Sequence, residues 1–135
     1  MLHEIFEKCV LDIDSAIDFC KERGFKKIIL SGHSLGCNKV VWYALEKKFK
    51  EKIILLAPCD LAREANPEQR ELWKKAKDLI KQNKGLETIS NFWGQWNITA
   101  LSLISVWSED VNADMFRYRD GKCVKSLSKL KNKNV

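Results

Sequence analysis

Lys27-Ile28-Ile29-Leu30-Ser31-Gly32-His33-Ser34-Leu35-Gly36 is the stretch on which the fold turns. Its first half is a short apolar run containing β-branched residues, bounded by Gly24 and Gly32, which suits a buried strand over Lys27 to Ser31. Its second half, Gly32-His33-Ser34-Leu35-Gly36, fits G-x-S-x-G. In that pattern a serine sits on a strained strand-to-helix turn that exposes its hydroxyl above a sheet. Flanking glycines are expected because a tight turn leaves little room for Cβ atoms. The bare pattern arises by chance in roughly 4% of chains this long, so its context decides. A strand must precede it and a helix must follow, and the sequence predicts both.

Outward from the motif, Val40, Val41, Ala44, Leu45 and Phe49 mark a helix between Gly36 and Lys50. Ile53 to Ala57 then predicts a second buried strand, stopped by Pro58. Strand, helix and strand make a βαβ unit, and two parallel hydrophobic strands imply a sheet covered by helices on both faces. Upstream, Leu2, Ile5, Phe6, Cys9, Ile13, Ala16, Ile17 and Cys20 share one face of an amphipathic helix that Gly24 can close. Downstream, Asn66-Pro67-Glu68-Gln69 supplies an N-cap, a first-turn proline and a Gln placed to complete a capping box. Leu72, Trp73, Ala76, Leu79 and Ile80 form the stripe of the helix that follows. Between Gly85 and Trp107 the chain is rich in aromatics (Phe92, Trp93, Trp96, Trp107), with a short helix expected from a Thr99 cap through Leu101, Leu103 and Ile104. The expected class is α/β, one domain over residues 1–135 with 62–118 as a cap or lid.

Composition narrows the alternatives. At 135 residues, 45% hydrophobic and 31% charged, the chain has the make-up of a globular domain. No apolar run approaches the roughly 20 residues that span a bilayer, and no signal-peptide pattern opens the sequence, so a cytoplasmic protein without membrane contact is expected. The five cysteines (Cys9, Cys20, Cys37, Cys59, Cys123) are odd in number and form no CxxC pair. They read as reduced and mostly buried, with no metal and no cofactor expected. The net charge of +6 is densest at Lys122, Lys125, Lys129, Lys131 and Lys133. No aromatics interleave there to stack on bases, so a solvated basic surface is expected rather than a nucleic-acid interface.

With those elements in place, Lys27 to Gly36 and Ile53-Ile54-Leu55-Leu56-Ala57-Pro58 resemble strands five and six of the α/β-hydrolase superfamily. Phe92-Trp93-Gly94, Ile98-Thr99-Ala100 through Leu103, and Asp114-Met115-Phe116 are similar to the cap of an esterase-like branch of it. The resemblance covers most of the chain. It implies a partial α/β-hydrolase fold, with parallel strands around a nucleophile elbow, flanking helices and a helical cap. It also implies a carboxylesterase-like serine hydrolase acting on an acyl ester, with a small-molecule acyl substrate as its partner. In such enzymes a serine attacks the acyl carbonyl, a histidine takes its proton, a carboxylate orients the histidine and backbone amides hold the oxyanion.

Carried over by residue, the resemblance makes Ser34 the nucleophile and the Leu35 backbone N–H one oxyanion donor, within an elbow of Gly32, His33 and Gly36. The family places its acid and then its histidine after the serine, whereas the only histidines are His3 and His33. His33 reads as a residue that packs or hydrogen-bonds, and His3 as a surface group. Asp60, just past the second strand, occupies a position from which some members supply the acid, against which stands its reading as a loop or helix-capping aspartate. Asp110, Asp114 and Asp120 read as turn formers, and Cys37 as core because no histidine is at hand to activate it. In the family a segment like Leu127 to Val135 leads into a further strand, here after residues 121–135, and the second oxyanion donor comes from a loop that would lie before Met1. The expectation is therefore a chain truncated at both ends and inactive by itself. Its two-stranded sheet would leave open edges through which it self-associates. The alternative is a non-catalytic remnant that binds a ligand or protein partner through Trp93, Trp96 and Trp107.

Overall fold

The strand formed by the apolar run begins later than its composition predicts. In a computed structural model, which describes residues 3–61, 67–92, 96–108, 112–117 and 127–130, β1 spans Leu30–His33 and β2 spans Ile53–Leu56. They pair in parallel, Leu30 opposite Ile53 through His33 opposite Leu56. A ladder needs a partner: β2 starts at Ile53, so Ile28 and Ile29 run ahead of it and pairing opens with the Leu30 N–H on the Lys52 carbonyl, 3.1 Å. The crossover between the strands carries α2, Leu35–Glu46.

The chain divides into two compact units, one of Glu7–Asp60 with Met115–Val135, the other of Met1–Phe6 with Leu61–Asp114. The first holds the parallel sheet. A 3-10 turn at Phe6–Lys8 leads into α1, Cys9–Glu22, which packs on α2. Gly24 stops α1 as expected: at φ +86° it lets its own N–H reach the Lys21 carbonyl (2.9 Å) and the Phe25 N–H reach the Cys20 carbonyl (3.1 Å). Between the helices the Tyr43 hydroxyl donates to Asp14 Oδ1 at 2.7 Å, and Lys47 pairs with the other oxygen. The Lys47 ammonium, then the Tyr43 hydroxyl, hold the Asp14 carboxyl below its usual range. Burial, then the hydrogen bond to Asp14 and its charge, push the Tyr43 phenol up.

The core of this unit gathers Cys37, Val41 and Ala44 of α2 with Met115, Phe116 and Leu130, and Ile53 and Leu55 pack against it. The opposite face of the sheet, by contrast, shows Ser31, His33, Ile54 and Leu56 to solvent. Among the described residues the cover expected on both faces is found on one, where α2 packs on the sheet and α1 packs on α2.

The second unit starts with α3, Pro67–Lys81, whose proline occupies the first helical position as predicted. Asn66 and the capping box it would form lie outside the described residues. Next come two strands that periodicity did not reveal, β3 at Thr88–Phe92 and β4 at Trp96–Thr99. They form an antiparallel hairpin with Ile89 opposite Ile98 and a register shift before the Phe92–Trp96 pair. α4, Ala100–Trp107, follows β4 without a loop. The Thr99 hydroxyl caps it as expected, accepting from the Ser102 N–H at 3.3 Å. The next two N–H groups are satisfied by backbone: Ala100 donates to the Glu87 carbonyl (3.0 Å) and Leu101 to that of Gly85 (2.9 Å). Ala76, Ile89, Ile98, Ala100 and Leu103 make the core here, with the α3 stripe and Trp107 packed around it.

Among the described residues no helix is long and apolar enough to cross a membrane. Cys9 and Cys37 are buried and Cys20 and Cys59 half-buried, with no disulfide among the described residues; Cys123 lies outside them.

Candidate functional site

β1 ends at His33, α2 begins at Leu35, and the single residue between them is Ser34. Its backbone takes φ 52° and ψ −124°, a conformation that a residue with a Cβ adopts only under strain. Two hydrogen bonds hold it there. The Ser34 N–H donates to the Leu56 carbonyl at the end of β2 (3.0 Å), and the Ser34 carbonyl accepts from the Cys37 N–H (3.0 Å). The side chain is exposed and makes no capping bond to the helix it precedes. Leu35 is the first residue of α2, so its N–H has no partner within the helix and points out of the helix N-terminus beside Ser34.

The two glycines of the motif differ in their reasons. A Cβ on Gly32 would stand 2.5 Å from the Gly36 carbonyl oxygen and 2.7 Å from the Cys37 nitrogen, so no larger residue fits between strand and helix. A Cβ on Gly36 would meet nothing within 4 Å. The expectation that crowding dictates both glycines holds at Gly32 and fails at Gly36, which faces outward from the turn.

Two α2 side chains hold the elbow from below. The buried Cys37 thiol lies 3.1 Å from the Gly32 carbonyl and 3.2 Å from that of Leu56, one S–H shared between the two strand ends, and its sulfur belongs to the core as predicted. Asn38, fully buried, donates from Nδ2 to the Cys59 carbonyl at 3.0 Å. It thereby ties the segment after β2, including Ala57 at φ 49°, to the first turn of the helix. Sequence reasoning passed over Asn38. The signal was available, because Asn38 shares the face of Val41 and Leu45, where a polar group needs a buried partner.

The remaining candidates are spread apart. Asp60 is half-buried, one residue past the Cys59 that Asn38 holds. His33 is exposed on the open face of the sheet rather than packed. His3 is exposed, as expected, and belongs to the other unit, where its Nδ1 lies 3.1 Å from the Thr99 hydroxyl. Asp114 is buried at the end of that same unit. Asp110, Asp120, Trp93 and the lysines at 122, 125, 131 and 133 lie outside the described residues. Trp107 packs against the core of its unit. No group of three or more metal-ligating side chains comes together among the described residues.

No protein-family model, curated protein or solved structure matches the chain. The chemistry open to the site therefore rests on its geometry: an exposed serine on a strained turn, the N-terminal N–H groups of a helix beside it, and a steric demand for glycine behind it.

Proposed function

We propose that the chain carries the nucleophile of an α/β-hydrolase-type serine hydrolase acting on acyl esters, with Ser34 attacking the acyl carbonyl. The observation that supports this most is the backbone of Ser34, held at positive φ between a parallel strand and a helix with its hydroxyl facing solvent. In the proposed reaction the Ser34 oxygen bonds to the carbonyl carbon, its proton passes to a base, and the carbonyl oxygen gains the negative charge. The Leu35 N–H stabilises that charge as one oxyanion donor. Collapse of the adduct expels the alcohol and leaves an acyl-serine for water to hydrolyse.

A second reading, a non-catalytic fold that binds a ligand or partner, is favoured by the two histidines. His3 is engaged with Thr99 in the other unit, and His33 lies in the strand on the open face. The two readings separate by chemical rescue. The chain is treated with a fluorophosphonate, with and without added imidazole as an external base, and modified peptides are mapped. A reactive elbow labels at Ser34, faster with imidazole, and loses the label in Ser34→Ala. Labelling that ignores Ser34→Ala, or none at any imidazole concentration, overturns the hydrolase reading in favour of the second.

A further inference from the structure

Cys37 is bonded to the backbone on both sides of Ser34. Its thiol, wholly buried in the first turn of α2, lies 3.1 Å from the Gly32 carbonyl and 3.2 Å from that of Leu56. Its N–H donates to the Ser34 carbonyl at 3.0 Å. The Leu56 carbonyl in turn accepts the Ser34 N–H, also at 3.0 Å. A residue three positions past the serine is thus tied to the end of β1, to the end of β2 and to the serine itself.

These bonds fix more than the strand ends. Ser34 stands between two planar peptide units, and its φ and ψ are the only soft angles between them. The unit before it is anchored by its N–H on the Leu56 carbonyl, and the unit after it by its carbonyl on the Cys37 N–H. That second unit also carries the Leu35 N–H, which in a trans peptide points opposite to the Ser34 carbonyl and so out of the helix N-terminus. With both units anchored, the Ser34 Cα–Cβ direction and the Leu35 N–H direction are set together. The first anchor sits where the ladder runs out, since β2 ends at Leu56 and the chain turns away at Ala57, φ 49°. There the S–H engages the Leu56 carbonyl from the helix side. A thiol is a weak donor, but the dry interior strengthens such a bond.

We infer that the Cys37 thiol is a positioning residue for the Ser34 site: clamped on the Gly32 and Leu56 carbonyls beneath the turn, it holds the serine Cβ and the Leu35 N–H in the relative orientation that attack on an acyl carbonyl needs. This role rests on the hydrolase reading of Ser34. The thiol does not touch the reacting atoms and acts through the Leu56 carbonyl. Its loss leaves Ser34 free to relax from a conformation that a residue with a Cβ holds only under strain. A shift of about half an ångström at the nucleophile slows bond formation about tenfold.

Three variants of the full chain test this. Cys37→Ala and Cys37→Ser both lose the sulfur and differ by a hydroxyl donor, and Cys37→Val fills the buried space without one. Each is labelled with a fluorophosphonate at fixed imidazole concentration, and probe binding is separated from the rate of bond formation at Ser34. Amide exchange of Ser34 is followed by NMR, and thermal unfolding shows whether each variant folds. Cys37→Ala and Cys37→Val are expected to form the bond about tenfold more slowly at unchanged probe binding, with faster exchange of the Ser34 amide alone among those of β1 and α2. Cys37→Ser is expected to recover most of the rate and of the protection, which a role in packing alone would not give. Labelling of Cys37→Ala and Cys37→Val at the wild-type rate, or Cys37→Ser no faster than Cys37→Ala, would overturn the proposal and leave the hydrolase reading standing. A wild-type chain that does not label at Ser34 would overturn both.

Discussion

At the scale of single residues, the site is organised by backbone strain and by the absence of one Cβ. Ser34 holds a conformation that costs a non-glycine residue about 1–3 kcal/mol. Its neighbours hold it there through the Leu56 carbonyl and the Cys37 N–H. Replacing it with glycine removes the strain but adds conformational freedom to the unfolded chain. Ser34→Gly is therefore expected to raise stability by about 1 kcal/mol while abolishing probe labelling. Urea unfolding of the two proteins checks it, and an unchanged or lower midpoint would show that the turn is unstrained. Gly32 was legible in the sequence because its constraint closes within five residues, at the carbonyl of Gly36, and Ser34 because it stands inside that short motif even though its N–H reaches the distant Leu56 carbonyl. The roles of Cys37 and Asn38 were less so. Each depends on a carbonyl about 20 positions downstream, Leu56 and Cys59, which no local pattern announces.

At the scale of elements, helices were readable and short strands only where they were uniformly apolar. The α3 stripe of Leu72, Trp73, Ala76, Leu79 and Ile80 repeats over more than two turns, so the signal accumulates, and those residues do meet the core. The β3–β4 hairpin offers far less. Among the residues whose burial is described, β3 buries Ile89 and β4 buries Ile98 and the polar Thr99, and the register shifts within a few residues of the Ile89–Ile98 pair. The helix-capping signal of Thr99 further masked the strand that ends on the same residue. Thr99 joins the two elements, accepting from the Ser102 N–H and donating to its hydroxyl at 3.0 Å while fully buried. Thr99→Ala should cost about 1–2 kcal/mol, with Thr99→Ser, which keeps the hydroxyl, recovering most of it. Denaturant unfolding of the three proteins decides this; an alanine variant as stable as the wild type would mean that the cap contributes nothing.

At the scale of the whole molecule, the order of the chain and the membership of the units disagree, and that lay beyond sequence reasoning. Residues 3–6 lie near the start of the sequence, yet they belong to the unit formed mainly by Leu61–Asp114. The Glu4 N–H donates to the Ser102 hydroxyl, and the Phe6 N–H donates to that of Ser105 at 2.8 Å. Together with His3 on Thr99, these contacts span 96 to 99 positions. The trace they left in the sequence is the polar series Thr99, Ser102 and Ser105 on an otherwise apolar helix, which signals a need for partners without naming them. Each unit has its own core, with no residue common to both clusters. Deleting Met1 to Glu4 removes the donor to buried Ser102 and the ring on Thr99, at a cost on the order of 1 kcal/mol. The loss is expected in one place: amide exchange should quicken in α3, β3, β4 and α4 while β1, α2 and β2 keep their protection. Equal loss in both sets would mean that the chain unfolds as a single cooperative body despite its two cores. No loss in either would mean that the N-terminal segment lies on α4 without holding it.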